Sequence, residues 1–297
     1  MTVILPDDYH ARSALEQRGV QCMTKDAALH QDIRALRIGI LNIMPKADSY
    51  EFNLLFPLGR SILQINPIWI RLESHEYKST DKEHLDSLYV TFKQAIAEKH
   101  LDGLIVTGAP VEEVDFKDVK YWDEITRILN YAQKNIPSTL GICWGGLALA
   151  KHIGIDKINY SKKLFGIYNT VNLYEKHPIT GDLDDRFWCP QSRFAGISDE
   201  VLESERDKGN VNLLAHSNET GYTIFETPDH KFVMHLGHPE YNRGRILDEA
   251  KRDKLKGRKD VEAPVNFDLD HPINLWRSHR NEFFSAWIKY VYLTTEY

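Results

Sequence analysis

Short runs of aliphatic and β-branched residues, each ended by a glycine or proline turn and followed by apolar residues at helical spacing, set the strongest limit on what this chain can form. Leu36-Arg37-Ile38-Gly39-Ile40-Leu41-Asn42-Ile43-Met44-Pro45 reads as a buried strand stopped by proline. Residues 51–64 suit a helix, and residues 65–72 have the alternation and aromatic content of a second strand, with Pro67 near its start. A polar loop over 74–80 and a helix to residue 99 follow. Leu101-Asp102-Gly103-Leu104-Ile105-Val106 runs into a Thr107-Gly108-Ala109-Pro110 turn, after which Trp122, Ile125, Ile128 and Leu129 repeat at helical spacing. Ser138-Thr139-Leu140-Gly141-Ile142-Cys143 then enters a strand-turn-helix. Such alternation predicts βαβ units, hence an α/β fold whose mostly parallel sheet carries helices on both faces. Residues 211–215 and 231–236 read as strands that extend it, residues 248–260 as a solvated helix and loop, and residues 281–293 as an aromatic closing helix.

The 297 residues leave room for one or two domains at roughly 150 residues each. An irregular or partly helical arm is expected over 1–35, with a single domain over 36–297. With 42% hydrophobic and 27% charged residues, the composition is that of a soluble globular protein. Its 37 basic and 43 acidic residues give a net charge of -6, which repels nucleic acid rather than gathering it. Acidic Asp7 and Asp8 precede any apolar stretch of signal length, and no run of about 18 apolar residues occurs, so a cytoplasmic protein with no membrane partner is expected. The three cysteines, Cys22, Cys143 and Cys189, are too few and odd in number for a disulfide scaffold and fit a reducing compartment with free thiols. The thirteen histidines are scattered and no Cys-X-X-Cys pair exists, so no metal site is expected.

The strongest chemical signal is Gly141-Ile142-Cys143-Trp144-Gly145-Gly146, between an expected strand and the small-residue helix that starts Leu147-Ala148-Leu149-Ala150. A nucleophile on a sharp strand-to-helix turn needs small neighbours. The helix N-terminus there lowers a thiol pKa and offers N–H groups to an oxyanion. The second signal is His238-Pro239-Glu240, just past the expected strand that ends near Leu236. An imidazole can take the thiol proton, and a carboxylate two residues on can orient the ring. His235 is a rival base, but it lies inside the strand.

In this order after a Thr-Gly-Ala-Pro turn, the two motifs resemble the class I glutamine amidotransferase-like superfamily, whose flavodoxin-like fold is then expected. Within it the chain looks more like the homoserine O-acetyltransferase/O-succinyltransferase family. The resemblance is nearly full length and is carried by Leu41-Asn42-Ile43-Met44-Pro45-Lys46, Asp102 to Pro110, Cys143-Trp144, Ser192-Arg193, Gly237-His238-Pro239-Glu240-Tyr241 and Trp276-Arg277-Ser278-His279. It implies a ping-pong acyltransferase in methionine and cysteine biosynthesis, with acetyl-CoA as co-substrate and no permanently bound cofactor. Cys143 would accept the acyl group, His238 would act as base and Glu240 as its partner, with the Trp144 N–H in the oxyanion hole. The resemblance places acceptor binding on Lys163, Ser192 and Arg252: two cations for a carboxylate, and a hydroxyl. Taken singly, the two cations read as surface charges. Glu249, three residues before Arg252, is expected to pair with it or to receive the substrate ammonium.

In this family a glycine in the turn after Thr-Gly-Ala-Pro goes with succinyl transfer and a glutamate with acetyl transfer; here the position is Glu112. A carboxylate there would repel the distal carboxylate of a succinyl group. The chain departs from the family pattern at the run after Lys46, at Leu147, where glutamine is usual, and at Gln191, where histidine is usual. These departures lie around the acceptor, which keeps L-serine beside L-homoserine as an acceptor. Homoserine O-succinyl transfer and glutamine hydrolysis are the other readings. The aromatic helix leaves open whether it covers the core or a homodimer contact.

Overall fold

The computed structural model describes residues 2–30 and 34–295. Its strands are β1 (Thr2–Ile4), β2 (Gln21–Met23), β3 (Leu36–Leu41), β4 (Gln64–Arg71), β5 (Val90–Thr91), β6 (Gly103–Val106), β7 (Ser138–Ile142), β8 (Ile158–Asn172), β9 (Arg186–Gly196), β10 (Asn212–Ser217), β11 (Gly221–Glu226) and β12 (Phe232–His235). All belong to one sheet of order β2-β1-β4-β3-β6-β7-β12-β11-β10-β8-β9, with β5 beside β4. Neighbours run parallel from β2 as far as β12 and antiparallel from β12 to β9.

The parallel half follows from its connections, because parallel neighbours need a crossover and here it is helical. Ala47–Leu58 links β3 to β4, Phe92–Glu98 precedes β6, and Trp122–Asn135 links β6 to β7. Successive strand residues point to opposite faces: Ile105 joins the core with Leu54, Leu55 and Trp287, whereas Leu104 and Val106 join the core with Ile125, Leu129 and Leu147. Helices therefore cover both faces, as the alternation predicts.

The structure corrects several boundaries. The stretch expected as an arm adds β1 and β2 to the edge of the sheet, and Val3, Leu15 and Val20 are buried in the shared core. Strands of three residues carry too little periodicity to be read in advance. Residues 31–33 of that stretch lie outside the described residues. The helix expected up to residue 99 is two, Lys82–Leu88 and Phe92–Glu98, because Thr91 and Gln94 form a reciprocal capping box that restarts it. The expected solvated stretch contains most of the helix Arg243–Leu255, but its Glu249 and Asp253 are buried. The closing helix, Arg277–Thr294, sends Phe283, Phe284 and Trp287 into the core, where the Trp287 indole N–H donates to Ser138 Oγ at 3.1 Å. No helix among the described residues is long and apolar enough to cross a membrane.

Candidate active site

β7 and β12 are parallel neighbours with Ile142 opposite His235, so Cys143 and His238 emerge side by side beyond the carboxyl ends of their strands. Open α/β sheets leave their binding crevices at this edge. The Cys143 N–H donates to the His235 carbonyl at 2.8 Å, and the His238 N–H donates to the Pro190 carbonyl at 2.8 Å, which fixes both turns. Cys143 has φ 51° and ψ -113°, a conformation that a side-chain-bearing residue rarely adopts and that costs about 1–3 kcal/mol. The helix Trp144–His152 starts at once behind it. A Cβ at Gly145 would lie 2.1 Å from the Val106 carbonyl oxygen, so only glycine lets the helix start press against β6. The Trp144 N–H belongs to the first turn, whose donors the helix itself leaves unpaired.

The side chains form a candidate relay. His238 Nδ1 meets Glu240 Oε1 at 2.7 Å, and the His238 imidazole and the Cys143 thiol are close enough for each to shift the other's titration. Since Nδ1 is committed to the carboxylate, Nε2 is the nitrogen left to exchange a proton with the thiol. Tyr241 stacks on the imidazole with centroids 4.1 Å apart, and Tyr50 Oη donates to Glu240 Oε1 at 2.6 Å. Burial pushes the Cys143 thiol up against the lowering pull of His238. Burial alone would lower His238, but a Cys143 thiolate and the Glu240 carboxylate outweigh it and hold the imidazolium well above its usual range. The two charges favour each other, so thiolate and imidazolium form together as the proton passes from sulfur to nitrogen.

The rival and the other thiols lack this setting. His235 is buried in β12, its Nδ1 accepts from the Gly237 N–H at 3.2 Å, and burial brings its pKa down to about 3, which keeps it neutral. Cys189 is buried, with burial raising its pKa, and Cys22 is half-buried; all three thiols are free.

Glu112 reaches the same place from the turn after β6. Its Oε1 accepts from the Phe194 N–H at 3.1 Å, and its Oε2 lies 3.9 Å from Cys143 Sγ. Burial raises its carboxyl above the usual range, against the pull of the Phe194 N–H and His238. Gly108 forms the adjoining wall: a Cβ there would lie 3.5 Å from His238 Cε1 and 3.6 Å from Cys143 Cβ.

A second cluster adjoins the first. Lys163 on β8 donates to Asp253 at 2.7 Å and to Glu249 at 3.4 Å, and its ammonium sits 4.3 Å from the Phe165 ring centroid. Ser192 Oγ on β9 donates to Glu249 Oε2, and Tyr241 Oη donates to Glu249 Oε1 at 2.8 Å. Burial works to raise Glu249, but Lys163, Arg245 and Arg252 overcome it and hold the carboxyl at about 2. Arg252 is only loosely paired with Glu249, at 3.8 Å; its closer partner is Asp253, at 2.9 Å. Lys163 and Arg252 thus share Asp253, so neither is an uncommitted cation, and Lys163 is the buried one of the two. Arg252, 42% exposed, keeps the accessible guanidinium.

The departures have structural partners. Leu147 is buried in the core, and Gln191 accepts from Arg193 Nε at 2.9 Å, underneath the Gly237 turn. The sequence alone does not mark Tyr50, Tyr241, Arg245 or Asp253 as site residues. Arg245 and Asp253 lie four residues either side of Glu249, so helical spacing was the available signal; nothing local marks Tyr50. Histidines scattered along the chain do meet in space, as His10-Glu51-His84 and His177-Glu226-His230. In the second group His177 Nδ1 accepts from the Ile179 and Thr180 N–H groups at 3.2 Å, which leaves Nε2 protonated and donating to Glu226 rather than presenting a lone pair.

A thiol on a strand-to-helix elbow, with a His-X-Glu turn at the end of the next parallel strand, sits here on a mixed α/β fold like that of glutamine amidotransferase structures. A glutamine amidotransferase from Thermotoga maritima superposes with a TM-score of 0.57 over 87% of this chain and 99% of its own, at 15% sequence identity. The family model described as homoserine O-succinyltransferase matches residues 2–297, and the chain belongs to that family. Similar proteins include the homoserine O-acetyltransferase of Petrotoga mobilis, 39% identical over 100% of this chain and 97% of its own length. That of Bacillus subtilis is 37% identical over 100% and 99%.

Proposed function

We propose that this chain transfers an acetyl group from acetyl-CoA to the side-chain hydroxyl of L-homoserine through an acetyl-Cys143 thioester. In the first half-reaction the Cys143 proton passes to His238 Nε2 and Sγ attacks the thioester carbonyl. The bond to the CoA sulfur breaks, and the departing sulfur recovers the proton from His238. In the second, His238 takes the proton of the acceptor hydroxyl as its oxygen attacks the acetyl carbonyl, and the Cys143 sulfur leaves. Glu240 stabilises the imidazolium in both halves, and the Trp144 N–H serves the oxyanion. Arg252 offers its accessible guanidinium to the acceptor carboxylate, while Ser192 and Glu249 shape the pocket beside it.

The observation that carries the acetyl reading is Glu112 Oε2, 3.9 Å from Cys143 Sγ. A carboxyl at that distance fills the space a longer acyl chain would enter and, when ionised, repels a distal carboxylate. The names of the two relatives point the same way, whereas the family description carries the succinyl name. Comparing kcat/KM for acetyl-CoA and succinyl-CoA, each with L-homoserine and L-serine, tests both substrate choices. Acetyl-CoA with homoserine should be fastest, and faster turnover of succinyl-CoA would overturn the donor assignment. One missing methylene is worth only about 1–3 kcal/mol, so serine should react measurably but more slowly.

A further inference from the structure

Four arginines gather where the helices Ala47–Leu58 and Arg277–Thr294 pack together: Arg18, Arg60, Arg277 and Arg280. The Arg280 guanidinium lies 4.7 Å from the Phe56 ring centroid, and that of Arg18 lies 5.4 and 5.8 Å from those of Phe52 and Phe56. Arg280 is 4% exposed, and among the described residues its guanidinium's hydrogen bond is a 3.3 Å contact from Nε to Asn281 Oδ1. None of the four makes an ion pair among the described residues. Burial, followed by repulsion from Arg277 and Arg18, pulls the Arg280 pKa down to about 10, with Glu240 opposing the shift.

This arrangement is unfavourable as it stands. A buried cation without a counter-charge is costly, and three like charges around it add to the cost. The composition does not force it, since acidic residues outnumber basic ones by 43 to 37. An anion with several oxygens relieves it, and the guanidinium fork matches phosphate. The cluster also stands beside the candidate relay. Arg280 lines one small cavity with His235 and Pro239, and Phe52 and Phe56 share a helix with Tyr50, whose hydroxyl meets Glu240.

We propose that these arginines hold the phosphate groups of the nucleotide end of the CoA thioester while its acyl end reaches Cys143. This rests on the acyl-CoA reading. It is tested with acetyl-CoA and with S-acetylpantetheine, which carries the same thioester without phosphates. The double variant Arg18→Ala, Arg277→Ala alters two exposed side chains, and its circular dichroism and melting curve check that it folds.

At about tenfold per charge-assisted contact, the variant should lose roughly a hundredfold in kcat/KM on acetyl-CoA. The wild type's preference for acetyl-CoA over S-acetylpantetheine should narrow by the same factor. Inorganic pyrophosphate should compete with acetyl-CoA in the wild type, and its binding, read by calorimetry, should weaken in the variant. An unchanged preference overturns the proposal, and so does pyrophosphate that binds without competing, which would make the cluster a separate anion site. If the wild type turns over neither thioester, the donor reading itself fails. Pyrophosphate calorimetry then still decides whether the arginines bind phosphate.

Discussion

Tyr50 donates its hydroxyl to Glu240 across 2.6 Å, on the same carboxylate oxygen that His238 Nδ1 meets at 2.7 Å. A residue of the first crossover helix thereby steadies the carboxylate that orients the imidazole. Replacing Tyr50 with Phe removes one hydrogen bond to a charged acceptor, so kcat should fall about tenfold with the KM for both substrates little changed. A loss that appears in KM alone would mean Tyr50 shapes the pocket instead.

The Glu240 charge also sets a pH limb. His238 is held above its usual range by the Cys143 thiolate and by Glu240, against burial. Protonating the imidazole while sulfur keeps its proton removes the base, so activity should fall on the acid side. In Glu240→Gln the carboxylate attraction is gone and imidazolium is less favoured. The midpoint of the acid limb in kcat/KM should therefore move to lower pH, along with a lower maximum. An acid limb that stays in place would show that another group sets it.

Glu112→Gly should open the acyl pocket. Activity with succinyl-CoA should rise by about tenfold or more relative to acetyl-CoA, the scale of removing one repulsive contact near the reacting sulfur. An unchanged ratio would place donor selection elsewhere.

His235 and Glu249 are two of the groups that tie stability to acid pH. His235 is kept neutral by burial, with a pKa of about 3 against 6.5, so the unfolded chain binds its proton first. Stability should decline as pH falls below 6.5, at up to about 1.4 kcal/mol per pH unit from this group. Glu249 is depressed to about 2 from 4.5; its contribution is complete above 4.5 and is lost as pH falls toward 2. Denaturant melts from pH 8 downward would show the two onsets, and His235→Gln should flatten the upper one. Lys163→Met should raise the Glu249 pKa and narrow the lower window.

The sequence carried the parallel half of the fold because β3, β4, β6 and β7 contain apolar runs of at least four residues, separated by helical stretches. The candidate elbow and the His-Pro-Glu turn were legible for the same local reason, since each spans only a few consecutive residues. The long β8–β9 ribbon was not: polar and charged residues such as Lys162, Lys163, Arg186, Gln191 and Arg193 break up the apolar run that marked the others, although most of β9 is buried. Tyr50 and Glu240 stand 190 positions apart, and the packing of the helix Ala47–Leu58 against the turn after β12 joins them. The acid–base cluster around Glu249 hid in a charged stretch because its residues neutralise each other when buried.

The central claim is an acetyl group carried on Cys143, and pre-steady-state release of CoA tests it most directly. Mixing enzyme and acetyl-CoA without acceptor should release a burst of one CoA per active site, with the acetyl group found on the Cys143 peptide by mass spectrometry. Cys143→Ala should give no burst. A full burst from that variant, or CoA release that begins only when homoserine is added, would contradict the account.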